Sequence, residues 1–234
     1  TKKTLNDYVG QGLLASQQEI GWRVSNGEVI PTPTKDEIVV FTDHILRGFT
    51  PPGSKFFRDL LHYFNLHPQD IGPNSISNIC HFQIFCEVYL QTAPTVPLFK
   101  EFFYINRQTE CQNGPSQELG GISIQRRRHN NFPSTVLPSH PKGWVTTWFY
   151  CKNTAPATKN PLPGFRAERL PLNFDLPSKI IPEEHAMALP FLSRAKALLA
   201  HGLLRVDLTR CWMSWRIQPK SQRPTHTSVH RRVD

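Results

Sequence analysis

The sequence lacks the compact motifs that mark most enzymes and metal-binding modules. It contains no G-x-G-x-x-G or P-loop sequence for phosphates, no H-E-x-x-H zinc motif and no G-x-S-x-G nucleophile turn. Its five cysteines are odd in number, widely spaced and free of any C-x-x-C pair, whereas a zinc site or a disulfide framework needs closer, paired spacing. These absences predict a non-enzymatic protein without a cofactor or a metal site.

Acidic residues are also few, 18 against 27 basic ones, which gives a net charge of +9. More than half of that excess lies in residues 205–234, where seven basic residues face two acidic ones. A basic balance suits partners that carry phosphate, because each neutralised phosphate releases a counterion. RNA or DNA is therefore the expected partner, although a solvated tail without a specific function accounts for the terminal cluster equally well.

No apolar run approaches the length of a membrane span, and no signal peptide is recognisable, so we expect an intracellular protein with reduced cysteines. The chain begins at Thr1 without methionine, as expected of a trimmed product or part of a longer reading frame. Hydrophobic residues make up 38% of the chain, with 15 Phe, which is enough to build a core. The 21 prolines predict short elements and long connections.

Hydrophobic periodicity predicts an α-rich α+β fold with an N-terminal helical bundle, a small antiparallel β-hairpin, a Pro-rich linker and a C-terminal helix. Helices are expected over residues 4–20, 35–47, 55–66, 75–91, 96–104 and 182–201. The first is expected to be broken by Gly10 and Gly12, and the last to be kinked or split at Pro190. Extended pieces are expected at 22–24 and 28–30. Residues 121–128 and 145–152 favour strands that pair with each other. The predicted segments are an N-terminal helical segment (1–20), a central domain (21–152) and a Pro-rich irregular connection (153–181). A C-terminal helical segment (182–217) and a disordered basic tail (218–234) follow.

The acidic residues and the histidines each allow a metal-dependent interpretation beside a structural one. A transposase site needs three carboxylates that converge on metal ions, and the acids here lie mostly on predicted helices. Glu87 stands out inside an apolar helix, where a surface edge or a buried salt bridge is the simpler interpretation. The ten histidines fit no metal-ligand spacing, so we expect ordinary core and surface positions for them.

The best candidate for nucleic-acid contact is the basic run beside the predicted strand at 121–128, with lysines and two tryptophans nearby. Basic side chains reach phosphates and aromatic rings stack on bases. The alternative is that Trp144 and Trp148 pack into the core and the arginines face solvent. Together with the tail, the candidate residues are Arg126, Arg127, Arg128, Lys142, Lys152, Arg216, Lys220, Arg223, Arg231 and Arg232.

A series of segments in fixed order resembles the gypsy-type transposon domain of plant genomes, especially those of grasses. The most specific are "PNSI…FCE…LF..FF" from Pro73 to Phe103 and "KGW…WFY" from Lys142 to Tyr150, and the resemblance covers roughly residues 20–152. Phe99 stands where that family often has Trp, and Thr50-Pro51-Pro52 replaces a more usual Gly-Leu-Pro. The resemblance implies an element-encoded protein, nominally a transposase, without established catalytic residues.

Three hypotheses follow. The first is a gag-like scaffold that self-associates or packages element RNA. The second is a transposase-like enzyme that cleaves DNA ends with Mg²⁺. The third is a degenerate fragment without activity. The aromatic helical half and the basic tail favour the first hypothesis, with no small-molecule substrate and no membrane.

Overall fold

The computed structural model describes residues 1–107, 121–130, 132, 143–154, 160–168, 170–171 and 174–200. Within these ranges the helices are α1 (Lys2–Gly10), α2 (Gln17–Ile20), α3 (Thr42–Leu46), α4 (Lys55–Tyr63), α5 (Pro73–Ile84), α6 (Val96–Phe102) and α7 (Pro182–Ala200). The strands are β1 (Arg23–Val24), β2 (Glu37–Phe41), β3 (Phe103–Arg107), β4 (Ile122–Arg126) and β5 (Trp148–Lys152). This helix-rich mixture confirms the predicted α-rich α+β class.

Serine side chains start two of the helices, because they accept backbone N–H groups that have no partner in the first turn. At α2 the Ser16 hydroxyl accepts the Glu19 N–H, and the Glu19 carboxylate accepts the Ser16 N–H in return. At α4 the Ser54 Oγ accepts the Phe57 N–H at 3.0 Å. The predicted helix over 75–91 is also confirmed, with α5 continuing as a π-helical segment over Phe85–Leu90.

Residues 35–47 do not form the single helix that their apolar spacing predicts. Glu37–Phe41 are strand β2, and α3 begins only at Thr42. Successive side chains of β2 alternate between two apolar clusters, with Ile38 and Val40 in the main core and Val39 and Phe41 in a second cluster. A β-branched run buried on both faces favours a strand, and pairing with β5 outweighs the helical spacing. The extended piece expected at 28–30 is likewise an irregular loop.

The strands form two separate antiparallel sheets. One has the order β1–β5–β2, with Val40 opposite Phe149. The other, which we call the ribbon, consists of β3 and β4, with Ile105 opposite Ile124. The prediction that residues 121–128 and 145–152 pair with each other is therefore wrong about the partners, although each segment contains an antiparallel strand. β2 lies wholly within 35–47, which is predicted to be helical, and β3 begins inside the predicted helix 96–104, whereas β1, the other partner of β5, lies in the predicted extended piece 22–24.

Phenylalanine rings fill the main core between α4, α5, α6 and the ribbon. Phe82 of α5 is fully buried, and its ring contacts those of Phe56, Phe99, Phe102 and Phe103. Phe99 stacks on Phe103 with ring centroids 4.8 Å apart. Such ring pairs contribute about 0.5–1.5 kcal/mol each beyond the area they bury. The aromatic side chains of the first hundred residues therefore form a packed interior.

Helix α7 closes the core from the C-terminal side. Its buried residues Glu184, Ala188, Leu192 and Ala195 follow helical spacing on one face, which packs against α6. The helix continues through Pro190, so of the two expected effects at that residue, a kink or a split, the split is wrong. Pro190 and Ala186 both lie on the exposed side, where water can bond the carbonyl that loses its helical donor. None of the helices within the described ranges combines the length and the apolar character needed to cross a membrane.

Candidate nucleic-acid interface

The ribbon rests on the aromatic core with one face buried. Residues opposite each other in an antiparallel pair share a face of the sheet. The inner face carries Ile105, Ile122 and Ile124, all of which are buried. Helix α5 packs against β4 and α6 packs against β3, so the core holds the ribbon in place.

The outer face of the ribbon is polar and reaches solvent. It carries Tyr104 and Asn106 from β3 and Ser123 and Gln125 from β4. Asn106 and Gln125 are exposed, whereas Tyr104 and Ser123 are partly buried. Sequence reasoning missed these residues because Tyr104 was assigned to a helix. The available signal was the alternation of Phe103, Tyr104, Ile105 and Asn106, in which every second side chain is apolar, as is typical of a strand.

A chain of hydrogen bonds crosses the outer face and fixes its side chains. The Tyr104 hydroxyl donates to Gln125 Oε1 at 2.5 Å, and Gln125 Nε2 donates to Ser123 Oγ at 3.3 Å. The Ser123 hydroxyl donates to the Asn106 carbonyl oxygen at 3.4 Å. The ring and the amide are therefore held in one arrangement before any ligand arrives.

Side chains, not further strands, occupy both edges of the ribbon at its central pair. On the β4 edge, the Ile124 N–H donates to Ser75 Oγ and Asn78 Nδ2 donates to the Ile124 carbonyl, both at 2.9 Å. On the β3 edge, the Ser178 hydroxyl donates to the Ile105 carbonyl at 2.6 Å. Because these backbone groups already have hydrogen-bond partners, a ligand at this point can bind to the outer face and not to a strand edge.

Four arginines and no carboxylate belong to the described part of the ribbon and the turn that follows it, residues 103–107 and 121–130. Arg126 and Arg128 are exposed, and Arg126 Nη1 donates to the Phe132 carbonyl at 2.9 Å. Arg107 donates to two carbonyls of the connection before α7, those of residues 170 and 171. Arg126, Arg127 and Arg128 therefore place positive charge at one end of the ribbon, where Arg126 lies opposite Phe103, and Arg107 lies at the other end, opposite Ile122.

Arg127 is partly buried and bound to the backbone. Its Nε donates to the Lys100 carbonyl at 2.7 Å, and its Nη2 donates to the Ser178 carbonyl at 2.6 Å. The guanidinium carbon lies 5.8 Å from the centre of the Tyr104 ring. Arg127 thus joins α6, the ribbon and the connection before α7 while it adds positive charge beside Tyr104.

The remaining predicted site residues are placed elsewhere. Lys152 ends β5 in the three-stranded sheet, opposite Glu37, and its side chain covers Gly21. Trp144 and Trp148 are 3% and 8% exposed in the second apolar cluster, which confirms the alternative that they pack inside. Outside the described residues lie Lys142, Arg216, Lys220, Arg223, Arg231 and Arg232, together with the predicted tail.

The acidic candidates are spread over separate helices. Glu87 is exposed on the π-helical segment, as the surface-edge interpretation predicts. Asp59 forms an exposed ion pair with Lys55, and the carboxylate of Glu101 lies 2.7 Å from Nδ1 of His185. Across the described ranges, no group of three or more His, Cys, Asp or Glu side chains is arranged to hold a metal ion.

A buried ion pair joins α6 to α7. Lys100 Nζ lies 2.6 Å from Glu184 Oε2 and donates to the Tyr63 hydroxyl at 2.8 Å, and Tyr63 in turn donates to Glu184. The two charged side chains are 2% and 8% exposed. Burial alone would raise the pKa of Glu184, but the hydrogen bonds from Lys100, Tyr63 and the Ile181 N–H together lower it. The Glu184 carboxylate therefore favours its ionised form, and its contacts with Lys100 and Tyr63 fasten α7 to α6 and α4.

Two histidines are buried as neutral side chains. His44 is 1% exposed, and its Nε2–H donates to the Ile71 carbonyl at 3.0 Å while the ring stacks on Trp144. Burial lowers the pKa of His44 to about 3 and that of His81 to about 4. Both are thus core positions, in agreement with the non-metal interpretation of the histidines.

Residues 38–107 match a family model whose description is "Putative gypsy type transposon". The matched segment begins in β2 and ends with β3, so it contains the aromatic helices and the first strand of the ribbon. No curated protein and no solved structure matches the chain. The resemblance that the sequence motifs carry is confirmed over the matched residues, and the chain therefore contains a gypsy-type transposon-related domain.

Proposed function

We propose that this chain is a non-catalytic, gag-like structural protein of a transposable element that associates with nucleic acid through the arginines of the ribbon. One observation carries the proposal. Three consecutive arginines, Arg126, Arg127 and Arg128, lie at one end of the ribbon, and the described residues of the ribbon and its following turn contain no carboxylate. Like charges so close together repel one another, and a bound polyanion relieves that repulsion and releases counterions. The transposon-related domain supports a role close to element nucleic acid.

The test is the binding of the full chain to a 20-nucleotide RNA across a salt series. We expect the double substitution Arg126→Gln/Arg128→Gln to weaken binding about tenfold at about 0.1 M salt. We also expect it to lower the slope of log affinity against log salt by about 1–2, because each lost phosphate contact removes close to one unit. Fluorescence anisotropy measures both quantities.

The matched control is Lys3→Gln/Lys35→Gln, which removes the same charge from exposed positions on α1 and in the loop before β2. We expect this control to bind within about twofold of the unmodified chain, since the basic C-terminal residues remain in both variants and their contribution cancels. An equal loss in both double variants would assign the binding to net charge. Affinity that ignores salt, or no affinity at all, would refute the proposed function.

A further inference from the structure

The outer face of the ribbon has features that phosphate binding alone does not require. Tyr104 and Gln125 lie directly opposite each other there, joined by a hydrogen bond of 2.5 Å. Asn106 lies two residues further along β3 on the same face, with its amide in solvent. An aromatic ring and exposed amides are groups that stack on bases and bond their edges, and neither adds to the attraction for phosphate.

We infer that the outer face of the ribbon binds a single strand of nucleic acid, with an unpaired base against Tyr104 and the flanking phosphates drawn by the positive charge of Arg127 beside that ring. This inference rests on the proposed function and adds the strand class and the stacking residue. The face is two strands wide, and its polar side chains lie on the side opposite to the one that packs on the core. A duplex hides its base faces in the helical stack, so the ring would have nothing to stack on.

The surroundings of Tyr104 favour this role over a purely structural one. The ring is only partly buried, and its hydroxyl bonds Gln125 rather than a core group. The guanidinium of Arg127, 5.8 Å from the ring centre, is fixed by carbonyls of α6 and of the connection before α7. A fixed cation beside the ring adds attraction for the phosphates on either side of a stacked base. Because the hydrogen-bonded chain already orders these side chains, binding costs little further conformational entropy.

The experiment compares the full chain and two variants at Tyr104 on three probes at one salt concentration. The probes are a 15-nucleotide oligouridine, an oligothymidine of the same length and a 15-base-pair DNA duplex. We expect both single strands to bind at least tenfold more tightly than the duplex. The ratio between oligouridine and oligothymidine then identifies the preferred polymer.

Tyr104→Phe keeps the ring, whereas Tyr104→Leu keeps apolar bulk without it. We expect Tyr104→Phe to retain single-strand affinity within about threefold and Tyr104→Leu to lose about tenfold on single strands, with the duplex affinity unchanged in both. Thermal unfolding of each variant shows whether the ribbon remains folded. If both fold and Leu binds single strands as well as Phe does, or if the duplex binds as tightly as the single strands, the inference is overturned while salt-dependent arginine binding still stands. If no probe binds, the proposed function itself falls.

Discussion

Replacing Glu184 with leucine is expected to lower the free energy of unfolding by about 3–5 kcal/mol, the usual cost of removing one partner from a buried ion pair. The substitution leaves the Lys100 ammonium 2% exposed, with the Tyr63 hydroxyl as the one remaining partner from the triad of Lys100, Tyr63 and Glu184. A buried charge without its counter-charge is costly because the interior cannot replace its hydration. Denaturant unfolding at neutral pH, followed by circular dichroism, measures the loss.

The double variant Lys100→Met/Glu184→Leu should be far more stable than the sum of the single losses predicts. It removes both charges at once, and apolar side chains of similar volume often replace a buried pair at little cost. As a matched control, Lys55→Met breaks the exposed pair with Asp59 and should cost less than about 1 kcal/mol. A loss below about 1 kcal/mol for Glu184→Leu would show that the pair does not fasten α7 as described.

Acidification is expected to destabilise the protein through His44, and His44→Gln should remove that part of the effect. In the unfolded chain a histidine titrates near 6.5, whereas burial lowers the pKa of His44 to about 3 in the fold. Between these values the unfolded state binds a proton that the native state does not, so the free energy of unfolding falls as the pH falls. The slope attributable to this group is about 1.4 kcal/mol per pH unit.

Glutamine can still donate to the Ile71 carbonyl but cannot take up a proton, so the comparison isolates the titration. We expect the unfolding free energy of the unmodified chain to drop by about 2–3 kcal/mol more than that of His44→Gln between pH 6 and pH 4. The contribution of His81 and that of the carboxylates cancel in the difference. Parallel pH profiles for the two proteins would mean that His44 is not buried as a neutral group.

The longest helices could be predicted from the sequence, but the short strands β2 and β3 could not. The helix over 75–91 has enough consecutive apolar residues for its period to be unmistakable, and Ser54 marks the start of α4 clearly. In 35–47 and 96–104 a strand and a helix adjoin without a turn residue between them. Local periodicity gives only a short signal at such a junction, because a five-residue strand contains few alternations and its pairing is specified by residues elsewhere in the chain.

The charged residues of the candidate site could be predicted from the sequence, but the side chains that share its outer face could not. The run Arg126–Arg128 is visible to any reader of the sequence. That Tyr104 and Gln125 share an exposed face depends on the register between β3 and β4, which no local pattern encodes. Likewise, the sequence around Trp144 and Trp148 does not show whether their rings are exposed for stacking or buried in a cluster. In both cases long-range packing supplied the missing information.

The most direct test of the account is to locate where nucleic acid contacts the full chain. A 15-nucleotide oligouridine that carries one 4-thiouridine can be cross-linked by near-ultraviolet light, and mass spectrometry identifies the modified peptides. We predict cross-links to β3 and β4, centred on Tyr104, that disappear when unlabelled single strand is added in excess. Cross-links confined to other surfaces, or to residues 201–234, would contradict the claim that the outer face of the ribbon is the contact surface.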